Sequence, residues 1–122
     1  MLEPEMADDD YCYLTTRGRV SGRPHTIEIW FGLEANRLYM LAGNREKADW
    51  VRNLRQTPRV DVRIRDQQFA GQAAVVEDGT ADQTARTLLV GKYGPRYNGD
   101  LTEWGRTSLV VAVDLEPDDA AV

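Results

Sequence analysis

Val60, Val62 and Ile64 alternate with Asp61, Arg63 and Arg65, the clearest period-two stretch in the chain. Such alternation predicts a strand with one face in a core and the other in water. Residues 26–32 keep the same rhythm, with Ile27, Ile29 and Phe31 on one face and Thr26, Glu28 and Trp30 on the other. Apolar runs at 11–16, 38–42, 69–76 and 108–115 bring the total to about six predicted strands. Gly18, Gly22 and Pro24 punctuate a hairpin between the first two, and Glu34, Ala35 and Asn36 make the next turn.

Two stretches switch to helical spacing. Over residues 45–56, Trp50, Val51 and Leu54 recur three and four apart while Arg52 and Arg55 face elsewhere, and Pro58 ends the run. Thr80, Ala81, Asp82 and Gln83 have the form of a capping box, followed by Ala85, Leu88 and Leu89 on one face. Gly91, Gly94 and Pro95 argue against a regular continuation of that helix. No long helices separate parallel strands, so the pattern predicts an α+β fold: a closed, mainly antiparallel barrel with two helices over its ends.

The chain has 122 residues, 42% hydrophobic and 29% charged, which suits one compact domain. Residues 1–10 and 117–122 are acidic and read as solvated tails around a domain at 11–116. A net charge of −5 speaks against a nucleic-acid surface. A single cysteine, Cys12, and the absence of a signal-like or membrane-spanning apolar run point to a cytoplasmic protein away from the membrane. A domain this small leaves little room for a private cavity, so a large ligand would lie in a surface cleft or between the subunits of a homodimer.

His25 is the sole histidine, so neither a histidine metal cluster nor a Ser-His-Asp set is expected around a second one. Ala42, Gly43, Asn44, Arg45, Glu46 and Lys47 lie between a predicted strand and a predicted helix, where open N–H groups and two cations would serve a phosphate. The plain alternative is that Arg45 and Lys47 are solvated surface charges. Arg17, Arg19 and Arg23 cluster in the first hairpin beside Ser21 and His25; guanidinium forks suit anions, and a solvent-facing hairpin tip is the competing explanation. Trp30, Tyr93, Tyr97 and Trp104 are candidates for stacking on a planar ring. Trp50, spaced with Leu54, suits core packing, and Cys12 reads as a small buried hydrophobe.

The segment Leu14-Thr15-Thr16-Arg17-Gly18-Arg19-Val20-Ser21-Gly22-Arg23-Pro24-His25, followed by Asp49-Trp50-Val51-Arg52-Asn53-Leu54-Arg55-Gln56-Thr57-Pro58-Arg59-Val60, resembles the deazaflavin-dependent nitroreductase family. That family is related to the flavin-binding, pyridoxamine-phosphate-oxidase-like split β-barrels. The resemblance implies a split β-barrel, often dimeric. It also implies hydride transfer from reduced deazaflavin, coenzyme F-420, to a small nitro, quinone or enone-type acceptor. Carried over by position, Arg19 matches the arginine of the G-R motif, Trp30 falls near the ring, and Tyr93 and Tyr97 fall on the acceptor pocket as catalytic candidates. Ser21, His25, Trp50 and the phosphate turn at Ala42 to Lys47 complete the expected cofactor-binding set. Two departures stand out: His25 occupies a position where the family has Arg, and the turn lacks the usual Ser-Lys-Gly-Gly. A shorter cationic turn leaves flavin mononucleotide (FMN) as the alternative cofactor and a non-enzymatic flavin or deazaflavin binder as the alternative role.

Overall fold

A computed structural model describes residues 4–77 and 79–116. Seven strands form one antiparallel sheet: β1 (Cys12–Arg17), β2 (Pro24–Ile29), β3 (Gly32–Glu34), β4 (Arg37–Ala42), β5 (Arg59–Ile64), β6 (Gln67–Val76) and β7 (Leu109–Leu115). Helix α1 (Asp49–Gln56) joins β4 to β5, and α2 (Gly79–Tyr93) with the short α3 (Thr102–Thr107) joins β6 to β7.

The strand order is β2-β1-β5-β6-β7-β4-β3. The two edge strands are consecutive in sequence, separated only by Trp30 and Phe31. Three residue steps reach no more than about 10 Å, whereas the edges of a flat seven-stranded sheet would stand about 29 Å apart. The sheet must therefore curl until its edges meet at that link, producing the barrel-like shape.

The curled sheet encloses one core, with Leu14, Leu38, Met40, Val62, Ile64, Val111 and Val113 all buried inside it. A second core lies outside, where Ala85, Leu89 and Tyr93 of α2 cover Tyr39, Leu41, Val110 and Ala112. The two layers explain two sequence patterns. Strand β5 alternates because only one of its faces is covered, while β4 and β7 are apolar nearly throughout because both of theirs are.

Several expectations are corrected. The described residues form seven strands and three α-helices rather than about six and two, because the run at 26–32 breaks at Trp30 and Phe31, and α3 adds a turn before β7. Helix α2 runs through Gly91 and stops only at Tyr93, ahead of Gly94 and Pro95. Thr80 lies within that helix rather than capping it, and Asp82 pairs with Arg86. The predicted helix at 45–56 is interrupted: Arg45–Lys47 is a 3-10 turn, Ala48 is extended, and α1 begins at Asp49.

Of the acidic start expected as a tail, the described residues 4–10 pack against the domain. Pro4–Asp8 forms a 3-10 turn that buries Met6 completely, Asp9 pairs with Arg65 and Asp10 with Arg96. The tail expected at 117–122 lies outside the described residues.

Candidate functional site

The hairpin loop between β1 and β2 is built by its own hydrogen bonds. The Gly18 N–H donates to the Arg23 carbonyl at 2.8 Å, the Gly22 N–H donates to the Gly18 carbonyl at 2.9 Å, and Arg17 Nη1 donates to the Gly22 carbonyl at 2.8 Å. Gly22 has φ +75°, a conformation that favours glycine. Ser21 Oγ accepts from the Arg23 N–H at 3.1 Å, so its hydroxyl helps to shape the loop.

Asn53 ties this loop to α1. Its Oδ1 accepts from the Arg19 N–H at 3.2 Å and from Arg19 Nη1 at 2.8 Å, and its Nδ2 donates to Thr16 Oγ1 at 3.2 Å. Arg19 Nη2 reaches Asp49 Oδ1 at 3.1 Å. Asn53 and Thr16 are buried, which strengthens these bonds and raises the cost of losing one partner.

Between loop and helix opens a cleft of about 520 Å³, within the usual range of ligand pockets. Arg19, Ser21, His25 and Asn53 supply its polar groups, and Val20, Ile27 and Trp50 its apolar ones. Gly18 permits the close approach: a Cβ there would lie 2.7 Å from His25 Nε2 and 2.9 Å from Ser21 Oγ. The two halves of the sequence motif thus face each other across one cavity.

None of the residues of the expected phosphate turn, Ala42 to Lys47, lines this cleft; the turn precedes α1, whose Asp49 and Trp50 do. Lys47 stands two residues before Asp49 and is exposed. Arg45 has φ 52° and is internally engaged, donating to the Thr107 carbonyl and pairing with Glu46 at 3.4 Å. Gly43 and Asn44 are exposed, whereas Ala42 is buried as the last residue of β4. Because α1 starts at Asp49, the open N–H groups of its first turn belong to residues from Asp49 on, not to the turn at Gly43 to Lys47.

Trp30 sits elsewhere, stacked on Tyr93 with centroids 4.2 Å apart and planes 3° from parallel. Tyr97 and Trp104 meet Trp30 edge-on at 5.6 and 5.5 Å. Tyr93, expected on an acceptor pocket, is instead 1% exposed. Its hydroxyl accepts from the Phe31 N–H at 2.9 Å and lies 2.9 Å from the Asp10 carbonyl and 3.1 Å from the Phe31 carbonyl, where it can donate. Burial, first among several causes, holds that phenol well above its ordinary value, and the ring pins the β2–β3 link. Tyr97 is 48% exposed and open to solution. Burial pushes the Cys12 thiol up to about 12, which leaves it an inert core group.

Asn53 and Asp49 stand in the motif segment but were not named as site residues from sequence. The signal for Asn53 was present: an amide three residues after Trp50, on the face of an amphipathic helix that packs inward.

The F420H(2)-dependent quinone reductase family pattern matches residues 4–116. The chain belongs to that family. No curated protein matches it. Among solved structures, the conserved hypothetical protein Rv2991 from Mycobacterium tuberculosis is 22% identical with a TM-score of 0.74, over 96% of this chain and 82% of the other. An F420-H2-dependent reductase (FDR-A) is 23% identical with a TM-score of 0.70, over 85% and 93%. A Listeria innocua protein named for pyridoxamine 5′-phosphate oxidase is 17% identical with a TM-score of 0.65, over 92% and 88%. At these identities the structures speak for the shared fold. The family is one of deazaflavin-dependent oxidoreductases, and its cofactor is coenzyme F-420. No helix among the described residues is long and apolar enough to cross a membrane.

The cleft suits such a cofactor in kind. Its Arg19–Asp49 pair involves a carboxylate with 82% of its side chain exposed, and a pair that open is worth about 1 kcal/mol or less. A phosphate or carboxylate can therefore take the Asp49 place on Arg19 at little cost, with Trp50 and Ile27 beside it for a flat apolar group.

Proposed function

We propose that this protein reduces quinone-type acceptors with reduced coenzyme F-420 held by the loop–helix cleft, and that nitro and enone compounds are further acceptors. Arg19, Ser21, His25 and Trp50 would hold the cofactor, with Gly43, Asn44, Arg45 and Lys47 taking phosphate. When bound, the reduced deazaflavin supplies the hydride. Arg19 and Lys47 bind and orient, Trp50 and Ile27 exclude water from one side, and Tyr97 is the exposed hydroxyl available to an acceptor.

The observation that carries this reading is the meeting of the two motif halves across one cavity. Titration with oxidised coenzyme F-420, followed by its fluorescence, is expected to give micromolar or tighter binding, with FMN binding more weakly. Arg19→Met is expected to weaken binding at least about tenfold, the loss of a charge-assisted hydrogen bond. Undiminished binding by Arg19→Met would remove the cleft from the proposal. Undiminished binding after Arg45→Ala and Lys47→Ala together would remove the phosphate turn. A homodimer is the assembly we propose, because the cleft lies open at the surface of a small domain; light scattering that returns the mass of one chain would refute it.

A further inference from the structure

A second cleft, of about 610 Å³, opens between the N-terminal 3-10 turn, β3 and the end of α2. Leu33, Leu88 and Pro95 give it apolar walls, and Lys92 and Arg96 stand on one side of it. Gly32 lies at its floor, where a Cβ would come within 2.6 Å of Leu88 Cδ2. None of these residues belongs to the cofactor cleft.

The two cations are unequally served. Arg96 Nη1 donates to the Asp8 carbonyl and to Asp10 Oδ1, both at 2.8 Å, so its other guanidinium nitrogens keep their N–H groups. Lys92 Nζ donates to the Phe31 carbonyl at 3.0 Å and lies 3.7 Å from the centroid of the Phe31 ring. Among the described residues it has no carboxylate within ion-pair distance, Asp10 and Asp8 acting on it only from farther off, and its one hydrogen bond is supplemented by the Phe31 and Tyr93 rings. A half-buried ammonium without an anion, next to a guanidinium, is an arrangement that an incoming anion would relieve. The same imbalance lowers Lys92 to about 8, through burial first and the Arg96 charge second. Asp8 at the rim opposes a dianion, and the apolar walls favour a compact hydrocarbon body.

We propose that this cleft is a second ligand site, for small apolar monocarboxylates whose carboxylate bridges Lys92 and Arg96 while the ring or alkyl body packs on Leu33, Leu88 and Pro95. The proposal is independent of how the cofactor is held.

Benzoate titrated into the full chain by calorimetry at pH 7 tests it, with benzyl alcohol as the uncharged counterpart. Saturable benzoate binding is expected, with benzyl alcohol at least about tenfold weaker. Lys92→Met and Arg96→Met should each weaken benzoate by a similar factor, whereas Arg55→Met, which removes an equal charge on α1 that does not line this cleft and is paired with Glu77, should not. Lys92 also supports the Phe31 carbonyl, so if Lys92→Met fails to fold the exposed Arg96→Met decides. No saturable benzoate binding, equal affinity for benzyl alcohol, or undiminished binding by Arg96→Met would each overturn the assignment.

Discussion

Replacing Asn53 by Ala removes the buried side chain that bonds the hairpin loop to α1, leaving the exposed Arg19–Asp49 pair between them. The buried Thr16 hydroxyl loses its partner, as do the Arg19 N–H and one face of its guanidinium. A buried polar group left without a partner costs about 1–3 kcal/mol, and Thr16 is such a group, whereas Arg19 is half-exposed and can turn to water. The expected loss is therefore about 1–3 kcal/mol, or roughly 4–12 °C in Tm for a chain of this length. Urea unfolding of the two single variants and the double variant with Arg19→Ala measures it. The cycle should show a coupling of about 0.5 kcal/mol or more, because the two side chains share a hydrogen bond. An Asn53→Ala chain within about 0.5 kcal/mol of the parent, or strict additivity with Arg19→Ala, would refute this account of how loop and helix are joined.

Tyr93→Phe strips a buried hydroxyl from the Phe31 N–H and should cost about 1–3 kcal/mol in thermal unfolding, whereas Tyr97→Phe at an exposed site should leave unfolding unchanged and lower quinone turnover; the reverse pattern in paired melting and turnover assays would exchange their roles. Gly18→Ala puts a methyl against His25 and Ser21, so coenzyme F-420 affinity should fall more than stability does, as fluorescence titration and melting would show. Lys92 has a folded value near 8 against an ordinary 10.5, so above pH 8 the unfolded chain holds more protons and this group adds stability as pH rises. Its neighbours are Arg96, Cys12, Asp10 and Asp8. Cys12, raised from 9.0 to about 12, acts oppositely above pH 9. The window is thus pH 8 to 9, in which the parent should gain Tm relative to Lys92→Met; a parallel pair of curves would contradict the burial of that amine.

The inward and outward faces of β5 were legible because one face alone is covered, and the two motif halves that carried the family resemblance face each other across the cleft between Arg19 and Trp50. What could not be read depends on groups far apart in sequence. The alternation at 26–32 continues through Trp30 and Phe31 with no local mark of a break, because the break is imposed by the curl of the sheet and fixed by Tyr93 and Lys92, some sixty residues on. Helix α3 is six residues around Gly105, a poor helix former retained where a Cβ would lie 2.4 Å from Val90 Cγ2. The 3-10 turn at Arg45–Lys47 hides within a helical spacing that continues into α1, and its distinguishing bond, Arg45 to the Thr107 carbonyl, spans the whole fold. Lys92 reads as one more surface cation until Phe31 is beneath it.

The place of β7 has a consequence for synthesis. It is the last strand in sequence among the described residues, yet it lies between β4 and β6 and pairs with six residues on each. A nascent chain that has not yet released residues 109–115 from the ribosome holds two apolar strands with open edges and no means of joining them. Such edges invite pairing with other chains. The barrel can assemble only after translation has passed Leu115, so slow elongation late in the message would prolong the aggregation-prone interval, and slow elongation early would not.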